Sequence, residues 1–327
     1  MTQLMAPGGT REMAFTAIDE GADVVYVGPL GWSRRPYESE LPDTEIKAVI
    51  DYAGRSGKEV RVVLNTYPSP FEFDAFLDKV KQYADWGASG FIVTDAGAIS
   101  SIRRIVPATI IHVSIGSGIT NKRDAEFYRT VGADAIILPY RWGTAEVAEV
   151  KEVSDIGLEV FLFETVQTGK ICPGKCIMSS YLKFRDWLDV EGERYFSGSA
   201  NRGAKECYRV CQATWEFGAP GLDSVELKLR RDAHLMLAQF PEYISLGVGY
   251  FKLSGRERPV AMIRDLVRFY RRVIDGIVRG TQTDTRVYLE ELLTLRERWV
   301  SEKHKRVDTL MSRADGYAAN RKRLAQS

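Results

Sequence analysis

A short repeat constrains the fold of this chain more than any other feature. Gly21-Ala22-Asp23, Gly87-Ala88-Ser89 and Gly132-Ala133-Asp134 each stand between an amphipathic stretch and a short apolar run, and Gly57, Gly157 and Gly247 occupy the same kind of junction. Glycine just past a helix end takes the left-handed conformation that stops the helix, at no steric cost. Strand-like runs follow at 24–28, 60–65, 91–95, 135–139, 160–164 and 250–254; the run at 110–114 comes after Pro107, and 4–8 opens the chain. These runs are largely apolar rather than alternating, as buried parallel strands are. Eight strands alternating with helical stretches require right-handed crossovers and a parallel sheet. Over 327 residues they point to an α/β fold of the (β/α)8 TIM type rather than an open doubly wound sheet.

The spacing breaks once. After Glu164 the eighth strand does not begin until about Gly249, so residues 165–246 form a long insertion after strand seven. Loops after barrel strands build the C-terminal face, where barrel active sites form, so the insertion is expected over the mouth. Residues 1–280 are then the barrel and 281–327 a helical extension. In that extension Val287, Leu289, Leu292, Leu293, Leu295, Trp299 and Val300 could form an apolar stripe, with Asp284 as a helix cap.

All four cysteines fall in the insertion: Cys172 and Cys176, then Cys207 and Cys211, two Cys-x3-Cys pairs. Disulfides have little purpose in a chain this size with a sizeable core and no secretory leader. Structural zinc and an iron–sulfur cluster both take four thiolates, although zinc knuckles more often use Cys-x2-Cys. No apolar run approaches the roughly eighteen residues of a membrane span, which suggests a cytoplasmic protein with reduced thiols. The net charge is +1, but residues 256–327 carry 17 Lys/Arg against 10 Asp/Glu. A basic tail suits an acidic partner such as nucleic acid, or simply a solvated helix face.

Several ordered motifs resemble the peptidase U32 family. Glu159-Val160-Phe161 followed by Gly174-Lys175-Cys176-Ile177-Met178-Ser179 is similar to its signature. Residues 5–9, 21–28, 63–68, 112–121, 201–212 and 251–258 resemble further family segments across most of the chain. The resemblance implies a [4Fe–4S] cluster on Cys172, Cys176, Cys207 and Cys211, with zinc as the alternative, and oxygen-independent hydroxylation, in several relatives with prephenate as hydroxyl donor. RNA-acting members carry their first cysteine seven residues before the one matching Cys176, where this chain has Gly169. That departure turns the expectation toward a small aromatic or quinone-precursor substrate. The alternatives are an RNA base in tRNA or rRNA, a noncatalytic cluster-bearing subunit paired with itself or a related U32 protein, and a peptidase. Proteolysis lacks support, since no GxSxG or HExxH motif is present.

A carboxylated donor needs cations, ideally a forked guanidinium. Arg256 at the end of strand eight is expected to act in catalysis, with Arg202 in the insertion and Arg141 after strand six binding substrate. His112 could serve as acid or base, or as a satisfied core histidine. Glu164 ends strand seven as a candidate acid. Asn65 and Asp95 end strands three and four, Asp95 also being placed to cap a helix. Tyr181, with Tyr67, Tyr140 and Trp142, could stack an aromatic substrate.

Overall fold

The computed structural model describes residues 2–35, 39–139, 142–162, 186–188, 194–196, 214–218, 225–228 and 237–302. Eight parallel strands close into a barrel: β1 (Gln3–Gly8), β2 (Val24–Val27), β3 (Glu59–Leu64), β4 (Gly90–Val93), β5 (Ile110–Val113), β6 (Ala135–Ile137), β7 (Gly157–Leu162) and, after four short strands, β12 (Tyr250–Leu253), which pairs with both β7 and β1. Helices α1 (Arg11–Asp19), α2 (Asp43–Arg55), α3 (Phe73–Asp85), α4 (Ala96–Ile105), α5 (Lys122–Thr130), α6 (Thr144–Val153), α7 (Phe240–Ser245) and α8 (Val260–Val278) lie between and after them. The fold is the expected TIM-type barrel. No described helix is long and apolar enough to cross a membrane.

The repeat has a physical basis at each of its three positions. Gly21, Gly87 and Gly132 sit at φ +100, +95 and +103°, and Gly57 and Gly247 are also left-handed. The alanine amides of Ala22, Ala88 and Ala133 then reach back to Ala17, Tyr83 and Tyr128 carbonyls, five residues earlier, closing the helix end. The third residue turns to the strand before the helix: Asp23 accepts from Leu4 N, Asp134 from Ile111 N and Ser89 Oγ from Val60 N. The repeat thus ties the base of one strand to the base of the next. Gly157 differs from the expectation. It is the first residue of β7 and has no positive φ. A Cβ there would stand 2.9 Å from Asp134 O, so glycine allows close approach rather than a helix stop.

Within the insertion, β8 (Asp186–Leu188) pairs antiparallel with β9 (Arg194–Phe196), and β10 (Thr214–Phe217) with β11 (Val225–Lys228). Residues 237–246, counted with the insertion on sequence grounds, carry α7, which packs as the barrel's own helix. Phe240 stacks on Phe251 at 4.5 Å, and Tyr243 Oη donates to Trp142 O at 3.3 Å. Residues 289–302 are helical and run antiparallel to α8, with Arg272 meeting Glu291 and Arg298 meeting Asp265. The apolar stripe is narrower than expected: Leu292, Leu295 and Trp299 are buried, whereas Val287, Leu289 and Leu293 are exposed. Asp284 does cap the turn Thr285–Tyr288.

Alternate residues of each barrel strand point inward and stack in layers, four side chains from alternate strands to a layer. The third residues of β1, β3, β5 and β7 are Met5, Arg61, His112 and Glu159, all fully buried. Three of that layer's four members are therefore polar. The next layer toward the mouth holds Tyr26, Ile92, Ile137 and Lys252, and above it lie Val63 and Phe161.

Candidate active site at the barrel mouth

The ionic layer is joined into one chain of contacts. Glu59 pairs with Arg61 at 2.6 Å. Arg61 Nε donates to His112 Nε2 at 3.4 Å, and His112 Nδ1 meets Glu159 Oε2 at 2.5 Å. The other carboxylate oxygen of Glu159 pairs with Lys252 Nζ at 2.7 Å. Because Arg61 donates to Nε2, the imidazole proton sits on Nδ1 and the ring is neutral. Burial, above all, lowers the His112 pKa and outweighs the pull of Glu159. Burial would raise Glu159, but Lys252 and His112 reverse it and hold the carboxyl at about 2. Gly90 makes room for this layer, since a Cβ there would press Arg61 Cδ at 3.0 Å and Ile110 O at 2.2 Å.

Lys252 rises from the layer toward the mouth. Its ammonium lies 4.4 Å from the Tyr26 ring centroid and 5.7 Å from that of Phe161. Tyr26 is anchored by a 2.8 Å hydrogen bond from its hydroxyl to Leu253 O. On the same ring, 6.0 Å from the centroid, lies the guanidinium of Arg256. Arg256 is 4% exposed, and its Nη1 donates to Ser33 Oγ at 3.0 Å. No carboxylate among the described residues comes within 4.0 Å of it. Burial, reinforced by the nearby Arg35, brings its pKa down to about 10.

Two glycines form the cradle of that guanidinium and its backbone. A Cβ on Gly28 would fall 1.7 Å from Arg256 Nη1, and one on Gly9 would fall 1.7 Å from Arg256 O. Ser33 is held by Glu40, whose carboxylate accepts from Ser33 Oγ at 2.7 Å and from Gly31 N at 2.8 Å. Burial pushes Glu40 up to about 7. The loop carrying Arg256 is fixed on both sides, by Glu257 with Arg35 at 3.6 Å and by Arg258 stacked 4.4 Å from the Trp299 ring.

The residues named from sequence separate cleanly. Arg256 is at the mouth, as expected. His112 is a satisfied core histidine with both ring nitrogens engaged and no solvent exposure. Asn65 Oδ1 accepts from Arg34 N at 3.0 Å, tying the β2–α2 loop to the end of β3. Asp95 caps α4 by accepting from Ala98 N at 2.8 Å. Trp142 is buried, and Tyr67 Oη donates to Gly116 O at 3.4 Å. Glu164, Arg141, Tyr140, Tyr181, Arg202 and the four cysteines lie outside the described residues. Arg61, Lys252, Tyr26, Ser33 and Glu40 were not singled out from sequence. For Arg61 and Lys252 the available signal is a charged residue in the middle of an apolar strand run; Tyr26, Ser33 and Glu40 carry no such mark.

The model of peptidase family U32 matches residues 9–312. The chain belongs to the peptidase U32 family. Relatives include the tRNA hydroxylation protein P1 of Bacillus subtilis, 26% identical over 304 residues, covering 89% of this chain and 67% of that protein. The 23S rRNA 5-hydroxycytidine C2501 synthase of Escherichia coli is 24% identical over 286 residues, covering 84% of this chain. This U32 chain spans only 40% of the length of that synthase, and likewise 40% of the E. coli tRNA hydroxylation protein P. A solved U32 peptidase superposes with a TM-score of 0.52 at 16% identity, over 79% of this chain and 95% of its own, which supports the shared fold.

Glu159 and Phe161 lie on β7, and Lys252 lies on β12, with Arg256 following it. β7 and β12 are neighbours in register, Lys252 opposite Phe161 and Tyr250 opposite Glu159. The Glu-x-Phe opening is therefore the seat of Lys252, with the carboxylate on one side of the ammonium and the ring on another.

Proposed function

We propose that this U32 chain hydroxylates a base of an RNA without molecular oxygen, with the barrel mouth as its substrate site. The observation that carries this reading is Arg256: a buried guanidinium bonded to a neutral serine, with Arg35 and Lys252 nearby. Desolvating a guanidinium is costly unless an anion completes it, and phosphate or carboxylate matches its fork. The names of the relatives favour RNA over the small aromatic or quinone-like substrate that the sequence favoured, and the basic tail agrees with them.

Cys172, Cys176, Cys207 and Cys211 would hold a [4Fe–4S] cluster, because four thiolates are the ligand set such clusters take. The cluster would supply one-electron chemistry. The residues of the barrel do the rest. Arg256 and Arg35 hold an anionic group of the substrate, or of a carboxylated hydroxyl donor, at the rim. Tyr26 and Phe161 provide an apolar floor that excludes water from around Lys252.

The decisive experiment is base-level analysis of total RNA together with quinone profiling, in a deletion strain grown without oxygen. Loss of one hydroxylated nucleoside with quinones intact is the expected result. Unchanged nucleosides with altered quinones would overturn the proposal and restore the small-molecule reading.

A further inference from the structure

We infer that Lys252 is a substrate-contacting residue, its ammonium held at the floor of the mouth by Glu159 so that one N–H is left to meet an acceptor oxygen of the substrate. The inference rests on the mouth being the substrate site, as proposed above.

The ammonium has three N–H groups to satisfy. One side is taken by Glu159 Oε1 at 2.7 Å from β7, and another faces the π-cloud of Tyr26 at 4.4 Å from β2. The side chain is 6% exposed, and its layer lies above the ionic one and below Val63, Phe161 and the loops that carry Arg256 and Asn65. Among the described residues no other oxygen accepts from the ammonium, so the third N–H is left for a ligand of the mouth. Burial above all lowers the pKa of the amine, Arg256 and Arg35 add to that, and Glu159 opposes them by its charge and its contact with the ammonium. Glu159 is the positioning residue. His112, locked as the Nδ1–H tautomer, leaves that carboxylate no rotational freedom.

A barrel interior of this size is ordinarily packed with branched aliphatic side chains. Burying charges there costs several kcal/mol per ion before pairing. Stability alone is served as well by an apolar layer, so an ionic tier that ends in one lysine under the mouth points to a ligand. The surroundings also suit a neutral substrate face, since Tyr26 and Phe161 flank the amine with apolar surface on which a planar base can rest.

The test is competitive trace acetylation of the holoprotein with acetic anhydride under anoxic conditions, read as the extent of modification at Lys252 by peptide mass spectrometry. It is run on the wild type and on Glu159→Gln, with and without total tRNA. Acetic anhydride reacts only with the free amine. Losing the Glu159 charge lowers the amine pKa, and each unit raises the reactive fraction about tenfold at a fixed pH below it. The expected results are a roughly tenfold rise in Lys252 reactivity in Glu159→Gln and protection of wild-type Lys252 by bound tRNA. Lys252→Met should weaken tRNA binding by about tenfold or more, with Lys252→Arg intermediate.

Glu159→Gln reactivity equal to wild type would overturn the positioning role. Bound tRNA that leaves Lys252 fully reactive, or Lys252→Met binding as wild type does, would overturn the contact. If tRNA fails to bind the wild type at all, the RNA proposal falls. The Glu159 dependence of Lys252 reactivity then still decides whether the amine is held as described. If Glu159→Gln does not fold, the Lys252→Met and Lys252→Arg pair carries the test.

Discussion

Gly28→Ala tests the mouth by adding one methyl group. The new Cβ would lie 1.7 Å from Arg256 Nη1 and 2.4 Å from Ser33 Oγ. Ordinary contact between such atoms is about 3.5 Å or more, so the guanidinium has to move by roughly 2 Å. Gly28 has no positive φ, and alanine itself is therefore not strained there. The effect has to pass through the displaced Arg256 and through Ser33, which acts on the mouth by its bond to that guanidinium. Losing the hydrogen bond to Ser33 and the aim of the fork is worth about 1.5–3 kcal/mol for a charged donor, roughly one to two decades in RNA affinity.

The assay is anoxic RNA binding by Gly28→Ala, Arg256→Ala and the double variant. If the alanine acts only through Arg256, the double variant binds as Arg256→Ala does, and the two effects fail to add. Gly54→Ala serves as control: Gly54 lies in α2 with nothing within 4 Å of its added Cβ. That change should raise stability by about 0.5–1 kcal/mol and leave binding alone. Wild-type affinity in Gly28→Ala would refute the reasoning, as would effects of Gly28→Ala and Arg256→Ala that simply add.

Four other outcomes follow from the same contacts. Gly21→Ala, at φ +100° against the Arg271 side chain, should cost about 1–2 kcal/mol in a denaturant melt. Asp95→Ala should lose about 1 kcal/mol of cap energy with RNA affinity unchanged; a separate fall in affinity would restore a substrate role. Lys252 and His112 hold the folded Glu159 carboxyl at about 2 against its burial, below its ordinary value of 4.5, so its contribution is complete above pH 4.5 and is lost as pH falls toward 2. Acid unfolding of the wild type should be steeper over that window than that of Glu159→Gln, and equal slopes would contradict the assignment. Anoxically purified protein should carry about four iron and four sulfide per chain, most of it lost in each single Cys→Ser variant; one zinc without sulfide would end the cluster reading.

The architecture was legible because helix ends leave a local mark. Five of the six glycines read as helix stops are left-handed in the structure, and the residues after them explain the repeat to the level of single hydrogen bonds. Gly157 departs from the pattern because close strand approach and a helix stop call for the same residue, and only the backbone angle separates them. Helix α7, inside residues 165–246, leaves no comparable mark in the sequence. Six residues of α7 are too few for helical periodicity to stand out, and its pairing with Phe251 and Trp142 is long-range.

The site was less legible, because its polar residues were masked by the strands that carry them. A run such as Val60 to Leu64 reads as apolar, yet Arg61 is the member that faces the barrel axis; the same holds for His112 and Lys252. Strand alternation sends neighbours to opposite sides. In a parallel barrel both sides are buried, so hydropathy cannot distinguish the helix-facing residue from the axial one. Charge can, because an ionised group is tolerated in such a run only where another strand supplies its partner. Glu159 and Lys252 lie 93 positions apart in the chain, and closure of the barrel puts them 2.7 Å apart. Glu159 and Lys252 are thus two lone charges in apolar strands, each one half of a contact whose other half lies in another strand. Pairing those halves through the barrel order is the step by which the mouth of this U32 protein follows from its sequence.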